Sequence, residues 1–158
     1  MLNYEDLVRK SDQNLRTIVQ LSGLSADVVL GTLDGDEVSL DVVGDDAALL
    51  VGPHGQTLDA LQFLLLLMTN KQRDQRLRLS VDADGYRKRR TQVLTDFAET
   101  LAAQVLKTGQ EAITDPLNAM ERRIVHNALT GNPDVRTYSE GDDPDRVVVI
   151  SPREKSAE

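Results

Sequence analysis

The first part of the chain shows helical spacing of apolar residues, followed by β-type alternation. Residues 4–22 carry an apolar stripe at helical intervals, and Gly23 is a stop signal for that helix. Two short apolar segments, at 28–33 and 38–43, are rich in β-branched residues. Because residues 34–36 between them, Asp-Gly-Asp, suit a tight turn, the two segments are predicted to form a β-hairpin.

The hairpin is followed by two helical segments and another strand. A short helix is predicted over 45–50, and a glycine-containing loop at 52–55 separates it from a longer helix that starts at Gln56. The apolar face of the longer helix is expected to consist of Leu58, Leu61, Phe63, Leu65 and Met68. Apolar and polar residues alternate again over 77–82, which predicts a third strand. This order is typical of helices packed on one face of a three-stranded sheet.

A long helix is predicted in the second half of the chain, over 84–108, with Gly109 as its C-cap. Its apolar stripe is expected to consist of Tyr86, Val93, Leu94, Phe97, Leu101 and Val105. Asp115 and Pro116 are typical of an N-cap and a first helical residue, which predicts another helix that runs to about Thr130. The last regular elements are predicted to be two strands, at 135–139 and 146–151.

The length and the order of elements predict an α+β fold in two small domains. The chain has 158 residues, which suits one ordinary domain or two small ones. The first domain is expected to cover 1–83 and the second 84–152, followed by a disordered tail at 153–158. The long helix belongs to either half or connects the two.

Composition excludes several kinds of chemistry. The sequence has no Cys and two His, which excludes disulfides, thiolate metal sites and a Cys nucleophile. It lacks the phosphate-binding loop, the serine nucleophile elbow and the His-Glu-x-x-His pattern. The paired acids Asp45–Asp46 and Asp142–Asp143 are interpreted as caps or solvated charges. We therefore expect no catalytic residue, no metal site and no cofactor.

No segment is predicted to enter a membrane. The densest apolar run, 63–68, is far shorter than the roughly 20 residues that span a bilayer. The amino terminus has no basic segment followed by an apolar one, so no signal peptide is expected. We therefore expect a cytoplasmic protein, in keeping with the lack of Cys.

The charges are unevenly distributed. The formal net charge is −8, which by itself argues against a nucleic-acid partner. Residues 71–107, however, hold nine basic and five acidic residues, with most of the basic ones at 71–78 and 87–90. This cluster indicates either a surface that attracts phosphates or a solvated helix face, and composition does not separate the two.

A Gly-x-x-Gly loop lies between the two helices that follow the hairpin. Because neither glycine has a side chain, a nucleic-acid backbone can approach closely, and the next helix offers N–H groups and the positive end of its dipole. By itself the pattern is a weak signal, but its place after two strands and before a third strengthens it. The residues of this candidate site are Gly52, Pro53, His54, Gly55, Gln56 and Thr57.

An Arg and a His four residues apart form the second candidate site. The apolar stripe of their helix is expected to consist of Leu117, Met120, Ile124 and Ala128. Arg122 and His126 fall on the opposite side, so both are expected to point away from the core. An Arg can fork onto a phosphate, and a His can hydrogen-bond or stack on a base. The alternative is an exposed helix face with a local hydrogen bond.

Two blocks of sequence resemble a known protein family. The block Leu50–Gln62 resembles the KH domain of the Jag family, also called KhpB or SpoIIIJ-associated. The segments 117–118, 121–126, 137–141 and 144–152 together resemble the R-3-H domain, which is named for an Arg and a His separated by three residues, and Ala119–Met120 depart from the family's pattern. In Jag proteins the R-3-H domain follows the KH domain. The two motif regions cover most of residues 50–152.

The resemblance implies a type II KH domain, with a three-stranded sheet and helices on one face, followed by a small α/β R-3-H domain. It implies that the Gly-x-x-Gly loop clamps single-stranded RNA and that the R-3-H domain binds single-stranded RNA or DNA. Pro53 and His54 depart from the basic residues common in the family's loop, and Pro53 has no N–H to donate. The further nucleic-acid contacts expected are Arg87, Arg89, Arg90, Arg122, Arg123, His126, Ser139, Gly141 and Arg146.

The resemblance also implies a biological setting. It suggests a post-transcriptional regulator linked to cell envelope growth and division, with a small single-KH protein (KhpA-like) as a partner. The family's additional amino-terminal domain is expected to be absent, because the chain begins directly with the first KH helix. An alternative hypothesis follows from the net charge and the non-basic loop: a protein-interaction adaptor, at the ribosome or in a KH heterodimer, with weak RNA affinity.

Overall fold

A computed structural model describes residues 4–35, 37–71 and 77–153. The chain divides into two compact units, Met1–Arg87 and Lys88–Glu158, and the division falls inside a long helix. Each unit combines helices with a three-stranded sheet, which confirms the α+β class. Apart from Arg153, the predicted disordered tail lies outside the described residues.

The first unit contains two helices and a three-stranded sheet. In chain order they are α1 (Tyr4–Leu21), β1 (Asp27–Asp34), β2 (Glu37–Val43), α2 (Gln56–Asn70) and β3 (Arg78–Ala83). Strand β1 is antiparallel to β2, and β2 is parallel to β3, so β2 is the central strand. The predicted hairpin and third strand are confirmed, although Asp36 of its turn lies outside the described residues. The helix predicted over 45–50 is a single 3-10 turn at Ala47–Leu50.

The core of the first unit lies between one face of this sheet and the two helices. Val38, Leu40 and Val42 alternate with more exposed residues along β2, and all three are buried. Leu15 of α1 and Leu58 of α2 are fully buried in the same cluster. Because Leu58 lies in the first turn of α2, its burial fixes the start of this helix, and with it the glycine loop, against the core.

The outward face of α2 is apolar as well. The buried residues of this helix are Leu58, Leu61, Leu65 and Thr69. Phe63 and Met68, which the helical pattern assigned to the core, are exposed, so that part of the prediction is wrong. Leu64 and Leu67 are exposed beside them. Since α2 carries apolar residues on several faces, periodicity alone does not identify the buried one.

The second unit also contains a three-stranded sheet. Its elements are α3 (Tyr86–Thr108, which begins in the first unit), β4 (Ala112–Ile113), α4 (Ala119–Leu129), β5 (Val135–Glu140) and β6 (Val147–Pro152). Strand β6 is central and pairs antiparallel with both neighbours. Strands β5 and β6 were predicted, but β4 was not, because two residues are too short to show alternation.

Helix α4 starts three residues later than predicted. Its N-cap is Asn118, whose side chain accepts from the N–H of Glu121 at 2.9 Å, while the Glu121 side chain accepts from the N–H of Asn118. This reciprocal capping box satisfies two amide donors that Asp115 and Pro116 cannot reach. Just before the cap, the N–H of Leu117 donates to the carbonyl of Arg146, the residue that precedes β6, at 3.0 Å.

Helix α3 buries a narrower stripe than predicted. Its buried residues, which lie in the core of the second unit, are Leu94, Ala98, Ala102 and Val105. Val93 and Phe97, which were assigned to this stripe, are exposed. Alanines allow α3 to pack closely against its neighbours. The predicted stripe consisted of large apolar residues only, so it did not include Ala98 and Ala102.

Candidate nucleic-acid interface

The glycine loop leads directly into α2. Gly52 and Gly55 both have left-handed φ angles, of 68° and 81°. His54 between them is also left-handed, with φ 52° and ψ 25°. Pro53 and His54 are exposed. The loop is therefore a tight turn that presents these two side chains to solvent.

Neither glycine leaves room for a side chain. A Cβ atom on Gly52 would overlap the side chain of Thr57. A Cβ atom on Gly55 would come within 2.8 Å of Cε1 of Tyr86, whose ring packs against the loop. Since both positions also have a φ that favours glycine, the geometry of this turn requires the Gly-x-x-Gly pattern.

The first turn of α2 has no side-chain cap. Gly55 is its N-cap residue, and no side chain accepts a hydrogen bond there. The N–H of Leu58 donates to the carbonyl of Val51 at 3.3 Å. Gln56 and Thr57 are exposed. An uncapped helix amino terminus carries partial positive charge and is suited to binding an anion.

Arg87 braces α2 against β3. Its Nη1 lies 2.9 Å from the carboxylate of Asp59 in the first turn of α2, and its Nε donates to the carbonyl of Val81 at 2.8 Å. Its Nη2 donates to Oε1 of Gln62 at 3.2 Å, and the same oxygen accepts from the N–H of Val81. The guanidinium predicted to contact RNA thus holds the helix behind the glycine loop, and its contact with RNA stays a prediction.

An open groove runs between α2 and β3. Its volume is about 1010 Å³, and its walls are mostly apolar. The residues that shape it include Phe63, Leu66, Leu67 and Leu79, with the cations Lys71 and Arg78. Apolar walls beside positive charges suit a nucleobase whose phosphate is held nearby.

Arg122 is buried, so the prediction that it points away from the core is wrong. Its side chain is 8% exposed, and its Nη1 donates to the carbonyl of Leu117 at 2.6 Å and to Oδ1 of Asp143 at 2.7 Å. Met120 of the predicted apolar stripe is exposed instead. The buried face of α4 consists of Glu121, Arg122, Val125 and Leu129. A charged residue can occupy this face because a carboxylate and a carbonyl compensate its charge.

His126 links α4 to β5. Its Nδ1 lies 2.8 Å from Oγ1 of Thr137, and its Nε2 lies 3.0 Å from Oγ of Ser139. Partial burial and the positive charge of Arg122 lower the pKa of His126, so the ring is neutral at pH 7. A neutral imidazole has one donor and one acceptor nitrogen, and the two hydroxyls take the complementary roles. The structure therefore brings the predicted residues His126 and Ser139 into direct contact.

The remaining predicted residues of the second unit lie around the turn between β5 and β6 or on α4. Gly141 starts the turn with φ 88°, and a Cβ there would meet only backbone atoms, at 3.6 Å or more. Arg146 ends the turn, and its carbonyl accepts from the N–H of Leu117 at 3.0 Å. Arg123 is exposed on α4. The contact of these residues with nucleic acid stays a prediction.

The basic cluster at the start of α3 is partly neutralised. Nε and Nη2 of Arg90 each lie 2.8 Å from Oε1 of Glu121, which is buried. The other carboxylate oxygen of Glu121 serves the capping box with Asn118. Lys88 and Arg89 are exposed. The charge of Arg90 therefore contributes less to the positive surface expected from this cluster than the exposed Lys88 does.

Three contacts in these sites were not predicted from the sequence. Tyr86 packs under the glycine loop, Asp59 pairs with Arg87, and Asp143 pairs with Arg122. Each partner lies in a distant segment of the chain, and such pairs leave no local pattern. For Asp143 the one available signal was its place in an acidic turn that follows the Arg-containing helix.

Metal and membrane sites are not found in the part of the chain that the structure describes. No group of three or more His, Asp or Glu side chains there is placed to hold a metal ion. No described helix is long and apolar enough to cross a bilayer. The apolar run 63–68 belongs to α2, which packs its other side into the core.

Both halves of the chain match known domain families. Residues 12–81 match the family described as KhpA/KhpB, KH domain, and residues 92–152 match the R-3-H domain. The RNA-binding protein KhpB of Bacillus subtilis is 36% identical over 148 residues, covering 92% of this chain and 71% of the relative. The RNA-binding protein KhpB of Clostridium symbiosum is 34% identical over 148 residues, covering 93% of this chain and 67% of the relative. The RNA-binding protein KhpB of Lactiplantibacillus plantarum is 34% identical over 149 residues, covering 94% of this chain and 46% of the relative. These matches show that the chain belongs to the KhpB family of proteins with a KH and an R-3-H domain.

Proposed function

We propose that the protein binds single-stranded RNA and catalyses no reaction. The observation that carries the proposal is the uncapped start of α2 behind a tight turn whose tip, Pro53 and His54, is exposed. A phosphate can approach such a turn closely and meet amide donors at the positive end of a helix dipole. The name of the relatives, RNA-binding protein KhpB, supports the same class of ligand.

The groove beside α2 is the proposed path for the bases. The groove lies along α2, the helix whose first turn is proposed to bind the phosphate. Phe63, which lines the groove, is 60% exposed. Stacking of a base on an aromatic side chain contributes about 1–3 kcal/mol and tolerates different sequences. Lys71 and Arg78 add positive charge along the groove.

The arginines take different roles in the proposal. Arg87 and Arg90 act as structural braces, because each is paired with a carboxylate. The exposed Lys88 and Arg123 attract the RNA backbone, which makes affinity dependent on salt. Binding is therefore expected to weaken steeply between low and physiological salt.

A charge placed at the tip of the glycine loop tests the proposal most sharply. His54 already has left-handed φ, which Asp tolerates, so His54→Asp adds a negative charge without forcing the turn to change. Gln20→Glu in α1 is the matched control, because it adds the same charge at an exposed position on another element. Fluorescence anisotropy with single-stranded RNA, at two salt concentrations, is expected to show about tenfold weaker binding for His54→Asp and less than about twofold for Gln20→Glu.

Two further comparisons complete this experiment. Phe63→Ala is expected to weaken binding through lost stacking while leaving stability unchanged, since the ring is exposed. Single-stranded DNA of the same sequence serves as the second ligand, because the relatives' name specifies RNA. Equal affinities of His54→Asp and Gln20→Glu would contradict binding at the loop, and a wild type that binds neither nucleic acid would contradict the function.

A small single-KH protein is the partner that we include in the proposal. The matching KH family comprises both KhpA and KhpB, and the exposed residues Leu64 and Met68 of α2, which do not line the groove, offer an apolar surface to a partner. Light scattering of the mixed proteins is expected to show a heterodimer that Leu64→Lys disrupts. A cytoplasmic location is included because RNA is the ligand. Control of cell envelope growth and division stays a prediction.

A further inference from the structure

Strand β5 forms an open edge of the sheet in the second unit. The sheet order is β4, β6, β5, so β5 pairs with β6 on one side only. Its register with β6 is continuous, whereas β1, an edge strand of the other sheet, has a register shift that interrupts its ladder. An edge strand without a bulge is able to pair with a strand of another chain.

The free edge of β5 has unpaired backbone groups. The carbonyl of Asp134 accepts from the N–H of Arg153 at 2.8 Å, so residues 134, 136, 138 and 140 direct their backbone groups to β6. The residues between them, Val135, Thr137 and Ser139, direct theirs away from β6. None of these three has a backbone hydrogen-bond partner at that edge within the described part of the chain. Their amide and carbonyl groups are therefore available to extend the sheet.

One face of β5 carries a cation and an anion with an aromatic ring between them. Arg136, Tyr138 and Glu140 are exposed and alternate with less exposed residues along the strand. Nε of Arg136 donates to Oγ of Ser151 at 2.7 Å, and its guanidinium carbon lies 5.9 Å from the centre of the Tyr138 ring. These two contacts hold the cation on the exposed face of the sheet.

Arg136 and Glu140 are too far apart to pair with each other in one copy. Four residues along a strand span about 13 Å, well beyond the reach of an ion pair. Neither side chain forms an ion pair with any residue that the structure describes. In an antiparallel pair of β5 strands centred on Tyr138, however, Arg136 of each copy lies opposite Glu140 of the other.

The same register also pairs the backbone groups. With Tyr138 opposite Tyr138, Thr137 lies opposite Ser139 of the second copy, and these two residues exchange hydrogen bonds through their outward backbone groups. A slide of four residues in either direction would set like charges opposite each other. A slide of two residues would leave Arg136 without Glu140 opposite it. Charge and hydrogen bonding therefore select one register.

We propose that the edge of β5 is a homodimer interface, at which β5 pairs antiparallel with β5 of a second copy and joins the two sheets into one. The ion pairs between Arg136 and Glu140 and the contact of the two Tyr138 rings specify the register. Such an interface is self-complementary and closes as a symmetric dimer. Because one short strand buries less area than a permanent interface does, the dimer forms reversibly as the concentration rises. The inference does not depend on the proposed RNA binding.

Charge reversal tests the pairing. Arg136→Glu and Glu140→Arg each set like charges opposite each other at both ends of the paired strands. Each is expected to weaken self-association of the nuclease-treated full chain about tenfold in analytical ultracentrifugation. An equimolar mixture of the two variants is expected to form dimers again, because each pair in a mixed dimer joins opposite charges. Glu99→Arg and Lys107→Glu, at exposed positions of α3, are the matched controls and should associate as wild type does.

A disulfide tests the same register independently of charge. In the proposed dimer, position 138 lies opposite its own copy as a non-hydrogen-bonded pair, with Cα atoms about 4.5 Å apart, and a disulfide accepts about 4.4–6.8 Å. The sequence has no Cys, so Tyr138→Cys introduces the only thiol. Mild oxidation is expected to convert Tyr138→Cys into a covalent dimer much faster than Ala103→Cys, which is exposed on α3.

Three results would overturn the inference. A wild type that stays monomeric at every concentration would mean that the exposed charges protect the edge from pairing. Reversal variants that associate as tightly as wild type would place dimerisation elsewhere. Variants that associate neither alone nor in the mixture, with unchanged circular dichroism spectra, would reject the register. If a reversal variant does not fold, the cross-link decides, and equal rates for Tyr138→Cys and Ala103→Cys reject the interface.

Discussion

Arg90 is predicted to stabilise the second unit and not to bind RNA. Its side chain is 22% exposed and that of its partner Glu121 is 8% exposed. Replacing Arg90 by Met leaves the Glu121 carboxylate buried, with the N–H of Asn118 as its described partner. Removing one member of a buried ion pair typically costs about 3–5 kcal/mol. Because Glu121 keeps a hydrogen bond, we expect the lower end, about 3 kcal/mol.

A basic residue two positions earlier provides the matched control. Lys88→Met removes the same charge from an exposed position on α3, and its effect on stability is expected to stay within about 0.5 kcal/mol. Adding Glu121→Gln to Arg90→Met is expected to recover part of the loss, because Gln is uncharged and still completes the capping box. Urea unfolding of the full chain, followed by circular dichroism and by the amide signals of α4, measures these differences in the second unit.

Two results would refute this reasoning. One is equal stability of Arg90→Met and Lys88→Met, and the other is a loss in Arg90→Met that Glu121→Gln leaves unchanged. RNA affinity is measured under conditions in which both variants are folded. There Arg90→Met, although less stable, is expected to bind RNA more tightly than the control variant. Lys88→Met should weaken binding and reduce its dependence on salt, and Arg90→Met should do neither.

Three further predictions concern the glycine loop, the histidine and the helix cap. Gly55→Ala is expected to lower the free energy of unfolding by about 2 kcal/mol and to weaken RNA binding, because it adds left-handed strain and a clash with the ring of Tyr86. Gly109→Ala is the control, since Gly109 has a similar φ but open space around it. This substitution should cost about 1 kcal/mol and leave binding unchanged. The pKa of His126 is lower in the folded than in the unfolded chain, so as the pH falls the unfolded chain binds a proton at this residue before the folded chain does. The contribution of neutral His126 to the stability of the second unit should therefore be complete above about pH 6.5 and be lost as the pH falls below that value. Urea unfolding at a series of pH values checks this, and His126→Gln should remove that part of the pH dependence. Asn118→Ala should lower the free energy of unfolding by about 1 kcal/mol, and Asp115→Ala should lower it by much less. A larger loss for Asp115→Ala than for Asn118→Ala in urea unfolding would contradict the capping box as the start of α4.

The sequence predicted what depends on local patterns. The helix of residues 4–22, the hairpin after it and the Gly-x-x-Gly loop follow from periodicity and turn chemistry, and the structure confirms them within a residue or two. The position of the loop between two helices also follows, because apolar spacing predicts a short helix before it and a longer one after it.

What the sequence did not predict depends on contacts between distant segments. Arg122 was expected to be exposed because helical periodicity treats every charged residue as a solvated one, whereas Asp143 and a carbonyl allow it to be buried. The start of α4 was misplaced because Asp115–Pro116 imitates a cap that Asn118 provides in the structure. Phe63 was assigned to the core because it is apolar, although α2 has more apolar residues than its buried face can hold.

The most direct test of RNA binding at the glycine loop is an amide NMR titration of the full chain with a short single-stranded RNA. The expected result is that the largest shift changes lie at residues 52–58 and along the groove at 63–71 and 77–79, with small changes in α1. Saturable binding with shift changes confined to α1 and β1, or no shift changes at all, would contradict the account.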